Sequence, residues 1–165
     1  MVEMLTTELS NEHKAAWIGF LVSHSVLIKK IDRALAESGH ITLDVYDALL
    51  ALEDAPERRL RMSELAERVL LSRSGITRLV DRLEQAGYVT RQACPGDRRA
   101  LWASLTPEGL KAREEAWPVY RRTVQELFGS RVSLEEAEVL RRVFLRLLED
   151  YPSCLLHGMP ACDKH

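Results

Sequence analysis

LRMSELAERVLLSRSGITRLVDRLEQAGYVTRQACPGDRRALWASL, residues 60–105, is the stretch whose reading decides the fold. Within it Ile76, Leu79, Val80 and Leu83 fall at i, i+3, i+4 and i+7, the spacing of one buried helical stripe. With that stripe inward, Ser74, Thr77, Arg78, Asp81, Arg82 and Gln85 face outward. Two arginines, a threonine and a glutamine on one face suit phosphate oxygens and base edges in a DNA major groove; a solvated surface helix has much the same composition. Ser72 is placed to cap this helix and Gly87 to stop it. Upstream, Ser63 is the expected cap of a shorter helix with Leu65, Ala66, Val69 and Leu70 inward, and Leu60 to Met62 reads as an edge strand. Two short helices joined at the Leu71-Ser72 break form a helix-turn-helix pattern.

Downstream, Tyr88 to Ala93 and Leu101 to Leu105 read as strands joined by a loop holding Pro95-Gly96 and then Asp97-Arg98-Arg99. This predicts a β-wing with a charged tip that reaches phosphates or a narrow minor groove. Polar tip residues are also what any exposed hairpin carries. Charge favours the nucleic-acid reading. Between Arg58 and Arg99 there are ten arginines, no lysine and five acids, a net +5 in a chain whose total is −2, so the remainder carries −7. Arginine concentrated in one segment of an acidic chain points to a dedicated phosphate-facing surface.

At 165 residues, 46% hydrophobic and 29% charged, the chain has enough apolar residues for one core and an ordinary charge content. Its N-terminus has no basic region followed by a long apolar run and a cleavage site, and no stretch approaches a membrane span. A cytoplasmic protein with no membrane contact is expected. Three cysteines, Cys94, Cys154 and Cys162, make no disulfide framework.

Ser10 is the expected cap of a long first helix ending near Ser38-Gly39, striped by Trp17, Phe20, Leu21, His24, Leu27, Ile28, Ile31 and Leu35. Thr42 is the expected cap of a second helix with Val45, Tyr46, Leu49, Leu50 and Leu52. After the wing, Thr106-Pro107-Glu108 opens a helix to Phe128 that Pro118 is expected to bend or split and Gly129 to close. Ser133-Leu134-Glu135-Glu136 is a capping box opening a last helix that Pro152 ends. These long stripes exceed what the middle section covers, which implies a partner copy and two recognition helices about 34 Å apart on a palindrome.

Leu65-Ala66-Glu67, the run Leu70 to Glu84, Gly87-Tyr88-Val89, Asp97-Arg98-Arg99 and Leu105-Thr106-Pro107-Glu108-Gly109 together resemble the multiple antibiotic resistance regulator (MarR) family of winged-helix repressors, over roughly residues 10 to 150. The resemblance implies a mainly α fold with a small β-wing, the winged helix-turn-helix inserted between N- and C-terminal dimerisation helices. Residues 1–40 are the expected N-terminal dimerisation helix. The DNA-binding unit is 41–105, with recognition helix 72–86 and wing 88–105; the C-terminal dimerisation helices are 106–151 and a flexible tail is 152–165. It further implies a homodimer on double-stranded DNA, Thr77 and Arg78 in the major groove, Arg99 in the minor groove, and Asp97 holding Arg99 by an ion pair. Ala100 departs from the family, many of whose members have glycine there.

The candidate DNA contacts are therefore Arg61, Ser72, Arg73, Ser74, Thr77, Arg78, Arg82, Asp97, Arg98 and Arg99. Family members commonly respond to small aromatic or phenolic effectors or to thiol oxidation. Trp17, Phe20, His24 and Tyr46 are the local candidates for a ligand pocket, with plain core and dimer packing as the alternative. Cys94 near Arg98 and Arg99 reads either as a redox switch or as a lone small hydrophobe. Cys154, His157, Cys162 and His165 in the tail match no tight zinc spacing, and a metal-responsive regulator is the corresponding variant. No cofactor is implied. No phosphate loop, activated nucleophile or paired carboxylate supports an enzyme. A winged helix used for protein contact is the remaining rival, and it does not need the arginine excess.

Overall fold

The computed structural model describes residues 8–94 and 97–149, with the backbone alone at 94 and 97–100. Cys154, His157, Cys162, His165, Pro152 and the Pro95-Gly96 turn lie outside the described residues, as do the side chains of Cys94, Asp97, Arg98 and Arg99. The chain runs as α1 (Asn11–Glu37), α2 (Leu43–Glu53), β1 (Arg59–Arg61), α3 (Met62–Arg68), α4 (Arg73–Gln85), β2 (Val89–Cys94), β3 (Asp97–Leu105), α5 (Pro107–Val124) and α6 (Leu134–Leu147). The three strands form one antiparallel sheet in the order β1-β3-β2.

Two cores result. The larger sits in the helix-turn-helix unit, where Ala48, Leu49 and Leu52 of α2 meet Leu65, Ile76, Leu79, Val80, Leu83, Val89 and Ala103. All four stripe residues of α4 are buried, as their spacing predicts. The smaller core joins the C-terminal part of α1 (Ile31, Leu35) to Leu43, Tyr46 and Ala116. An ion pair between Arg113 of α5 and Glu53 of α2, largely shielded from solvent, ties the same elements.

Helix ends follow local chemistry, with instructive departures. Ser10, Ser72, Thr106 and Ser133 accept N–H groups three residues on, and Glu136 completes the box at Ser133. Thr42 holds its cap position without capping; its hydroxyl donates to Asp44, and Asp32 of α1 accepts the Leu43 N–H at 2.9 Å. Ser63 lies inside α3, because Glu64 reaches back to the Arg61 N–H and starts the helix a turn position earlier. Leu70, expected inward, is 76% exposed. Its φ of 54° closes α3 in a left-handed turn, with the Leu71 N–H on the Ala66 carbonyl at 2.9 Å, so the chain reverses within a few residues into α4.

Pro118 does not split the long C-terminal helix, which continues into a π-helical last turn, Gln125–Gly129. Gly129 belongs to that turn and does not close it in a left-handed conformation; the Ser130 N–H instead reaches the Gln125 carbonyl at 2.8 Å. Gly109 has a packing reason. A Cβ there would sit 2.3 Å from the Tyr88 carbonyl oxygen, where the start of α5 lies against the turn between α4 and β2.

The stripe of α1 is largely uncovered in a single chain. Only Ile31 and Leu35 of the helix are buried, while Trp17 and Ile18, on different sides of it, are 56% and 60% exposed. α6 buries no residue at all. Phe20 touches Phe144 of α6 with ring centres 5.9 Å apart, so the two apolar surfaces adjoin.

Candidate nucleic-acid interface

The interface is built on α4. Its N-terminus is fixed by Ser72 Oγ, which accepts the Gly75 N–H at 3.1 Å and lies 3.2 Å from Ser74 Oγ. Thr77 donates its hydroxyl to the Arg73 carbonyl at 2.9 Å, which leaves both lone pairs of its oxygen and its methyl available on an exposed residue. Arg73, Ser74, Thr77 and Arg78 are exposed. Among the described residues neither Arg73 nor Arg78 has an acidic partner. A shallow groove of about 480 Å³ lies on this face, lined by Asp44, Leu71, Gly75, Arg78, Leu79, Asp81 and Arg82.

Arg82 behaves differently from its neighbours. It is paired with Asp44 of α2, which binds the outward face of α4 to the helix behind it. Burial alone would raise the Asp44 carboxyl; the Thr42 hydroxyl, the Arg82 guanidinium and the Val45 N–H outweigh it and hold it below the usual carboxylate range.

Sequence reasoning counted Arg91 only as surface charge, and the structure gives it a structural role. From β2 it donates to Asp81 Oδ1 at 2.6 Å and to the Thr77 carbonyl at 3.2 Å, and it lies 3.4 Å from Glu84 Oε2. One mostly buried guanidinium thus fixes three positions along one side of α4, Thr77, Asp81 and Glu84, relative to the wing. Arg91→Ala is expected to cost about 2 kcal/mol, between the values for exposed and fully buried pairs. Urea denaturation measures it, and an unchanged midpoint would contradict the role.

The wing differs from expectation at its tip. Asp97-Arg98-Arg99 is not loop: β3 begins at Asp97. Ala93 pairs with Leu101 but Cys94 with Asp97, so Arg98, Arg99 and Ala100 have no counterpart on β2 and form a bulge. Arg61 ends β1 with its guanidinium 5.6 Å from the centre of the Trp102 ring.

The four candidate ligand residues do not converge. Tyr46 is 1% exposed and stacks on Tyr120 of α5 at 4.6 Å, within the smaller core. Burial pushes its hydroxyl up to about 12. Trp17, Phe20 and His24 instead form a ladder along exposed α1, with ring spacings of 6.0 and 6.4 Å. Spacing alone does not separate the two sets, because Tyr46 stands on another helix.

Partial desolvation by the packing around α2 and then the neighbouring Asp44 push the carboxyl of Asp47, a residue still exposed to solvent, up to about 6 from an ordinary 3.8. A carboxyl raised on folding costs stability as pH climbs from its unfolded value through its folded one, and the cost is complete above the latter. Asp47→Asn should therefore melt above the wild type beyond pH 6, with the two curves converging near pH 4. Parallel curves across that range would contradict it.

Among the described residues no helix is long and apolar enough to cross a membrane, and no group of three or more His, Cys, Asp or Glu is placed to hold a metal. The MarR family model matches residues 41–100, the span from α2 into the wing. The transcriptional repressor MprA of Escherichia coli K12 is 30% identical over 124 residues, covering 75% of this chain and 69% of MprA. In Streptomyces coelicolor, the MarR-family regulator Sco3205, solved in complex with DNA, superposes with a TM-score of 0.81 at 31% identity, covering 88% of this chain and 92% of that one. AbsC from the same organism gives 0.79 at 28% identity, covering 88% and 97%. With α4 capped, clamped and presented beside a two-stranded wing in the same arrangement, the chain belongs to the MarR family of winged-helix transcriptional regulators.

Proposed function

We propose that the protein is a homodimeric repressor that sets the two copies of α4 in successive major grooves of a pseudo-palindromic operator. As a MarR-family regulator it acts on DNA, as Sco3205 does in its complex. The observation that carries this reading is the split among the arginines near α4. Arg82 and Arg91 are neutralised by Asp44, Asp81 and Glu84, whereas Arg73 and Arg78 stand exposed with no carboxylate among the described residues. Ser72, Arg73 and Ser74 at the start of α4 contact phosphates, and Thr77 and Arg78 contact base edges. Arg98 and Arg99 carry the wing into the minor groove, with Asp97 orienting Arg99.

The uncovered faces of α1 and α6 support dimerisation, since a helix apolar on several sides needs more cover than one chain supplies. Repression follows the example of MprA. A small aromatic or phenolic effector is the regulatory input, meeting the Trp17, Phe20 and His24 ladder on the first half of α1.

Gel shift on the intergenic DNA upstream of the protein's own gene, with and without phenolic compounds, tests this directly. Affinity should fall steeply between 50 and 200 mM salt, by about a thousandfold if some six phosphates are contacted. Arg99→Ala should weaken binding by tenfold or more, about 1.4 kcal/mol, while the dimer stays intact. An unchanged shift would remove the wing from the interface.

A further inference from the structure

We infer that the outer face of the β1-β3-β2 sheet is a second DNA-backbone surface, which grips double-stranded DNA outside the half-site read by α4. This rests on the DNA-binding reading above and extends it from Arg61, already a candidate contact, to neighbours on the sheet that the reading does not use. Leu60, Ala103 and Val89 are buried, so strand alternation turns Arg59 and Arg61, Trp102 and Ser104, and Thr90 and Gln92 to the other side. Register puts Arg61, Trp102 and Gln92 in one row across the sheet and Arg59, Ser104 and Thr90 in the next. These six residues supply two cations, one large aromatic ring, and neutral hydroxyl and amide groups. None is a carboxylate.

Both guanidiniums lie over the same indole, Arg59 at 5.0 Å and Arg61 at 5.6 Å from its centre. The ring holds two like charges in place but does not neutralise them. Glu57 pairs with Arg59. Arg61 uses Glu64 only through its backbone N–H, and its guanidinium has no acidic partner among the described residues. Arg58 adds a further exposed cation immediately before β1. Elsewhere in the fold, buried or bridging arginines are matched: Arg82 to Asp44, Arg91 to Asp81 and Glu84, Arg113 to Glu53. A rigid cationic strip whose one carboxylate among the described residues, Glu57, sits on Arg59 and leaves Arg61 and Arg58 unmatched, with neutral donors beside it, is suited to a polyanion of regularly spaced phosphates.

Placement selects duplex DNA as that polyanion. The strip lies on the flank of the β2-β3 hairpin, whose far end carries the Arg98-Arg99 bulge. A wing laid against DNA beside α4 carries this flank along the backbone, away from the dyad. Trp102 acts as a positioning residue that holds Arg59 and Arg61 against the sheet.

The test uses the full-length protein and a duplex selected by it from a random-sequence pool, prepared in two lengths. One ends at the outer edges of the half-sites; the other extends by about one helical turn on each side. Wild type should bind the longer duplex about tenfold more tightly than the trimmed one, and Arg59→Ala/Arg61→Ala should erase that gain. The slope of log affinity against log salt on the longer duplex should become shallower by about two units, one for each phosphate that is no longer neutralised. Trp102→Ala should behave like the double variant and Trp102→Phe like wild type; the double arginine variant carries the test if Trp102→Ala does not fold. Equal flank dependence and salt slope in wild type and double variant would overturn the inference. So would a loss of affinity confined to single-stranded DNA or to an acidic protein. If Arg78→Ala still weakens binding roughly five- to 150-fold in that case, the DNA-binding reading stands; if no variant alters binding, both fall.

Discussion

Leu21→Glu is expected to convert the protein to monomers at micromolar concentration and to lower operator affinity more than a hundredfold. Leu21 lies on the first half of α1, among Trp17, Ile18, Val22 and Val26, all of them uncovered in the single chain. A second copy that covers this surface buries Leu21 twice, so one substitution places two unpaired carboxylates in the interface. Each costs several kcal/mol when desolvated without a partner. The DNA-binding unit folds around its own core and should be spared. Sedimentation reads the oligomeric state and circular dichroism the folding. A variant that sediments as wild type would remove α1 from the dimer interface.

Arg78→Ala should lower operator affinity by about 1–3 kcal/mol, roughly five- to 150-fold, and relax preference at one base pair of each half-site. The cause is local. Ile76, Leu79, Val80 and Leu83 fix the rotation of α4 against the core, and Arg91 and Arg82 lock it from two sides, so Arg78 has a defined outward direction. Arg33→Ala, which removes an α1 arginine paired only with Glu37, is the charge-matched control and should change affinity little. Equal effects from the two substitutions would mean that the protein senses net charge and reads no base at Arg78.

The parts of this architecture legible in sequence were those set by neighbours a few residues apart. The α4 stripe, the Ser10, Ser72, Thr106 and Ser133 caps and the left-handed glycines at Gly39 and Gly87 all depend on residues within one or two turns. What periodicity does not carry is pairing across the chain. Asp44 is 38 residues from Arg82, and Arg91 reaches back to Asp81 and Glu84 from a different element, so in sequence Arg82 reads as a free DNA contact and Arg91 as plain surface charge. Leu70 is apolar and fits the α3 stripe, yet the turn into α4 needs a left-handed residue there and leaves the side chain outside. Tyr46 looked like a companion of Trp17, Phe20 and His24 until packing placed it against Tyr120. In the wing, strand composition predicted two arms, but only the register showed that Arg98, Arg99 and Ala100 are surplus residues on one of them.

Hydroxyl-radical footprinting on the selected duplex tests the central claim most directly, because it reports backbone protection on both strands at single-nucleotide resolution. Two equivalent protected regions related by a dyad, with centres about 34 Å apart, are the predicted result. A single protected region, or uniform cleavage at saturating protein, would contradict a paired molecule that presents two copies of α4 to one duplex.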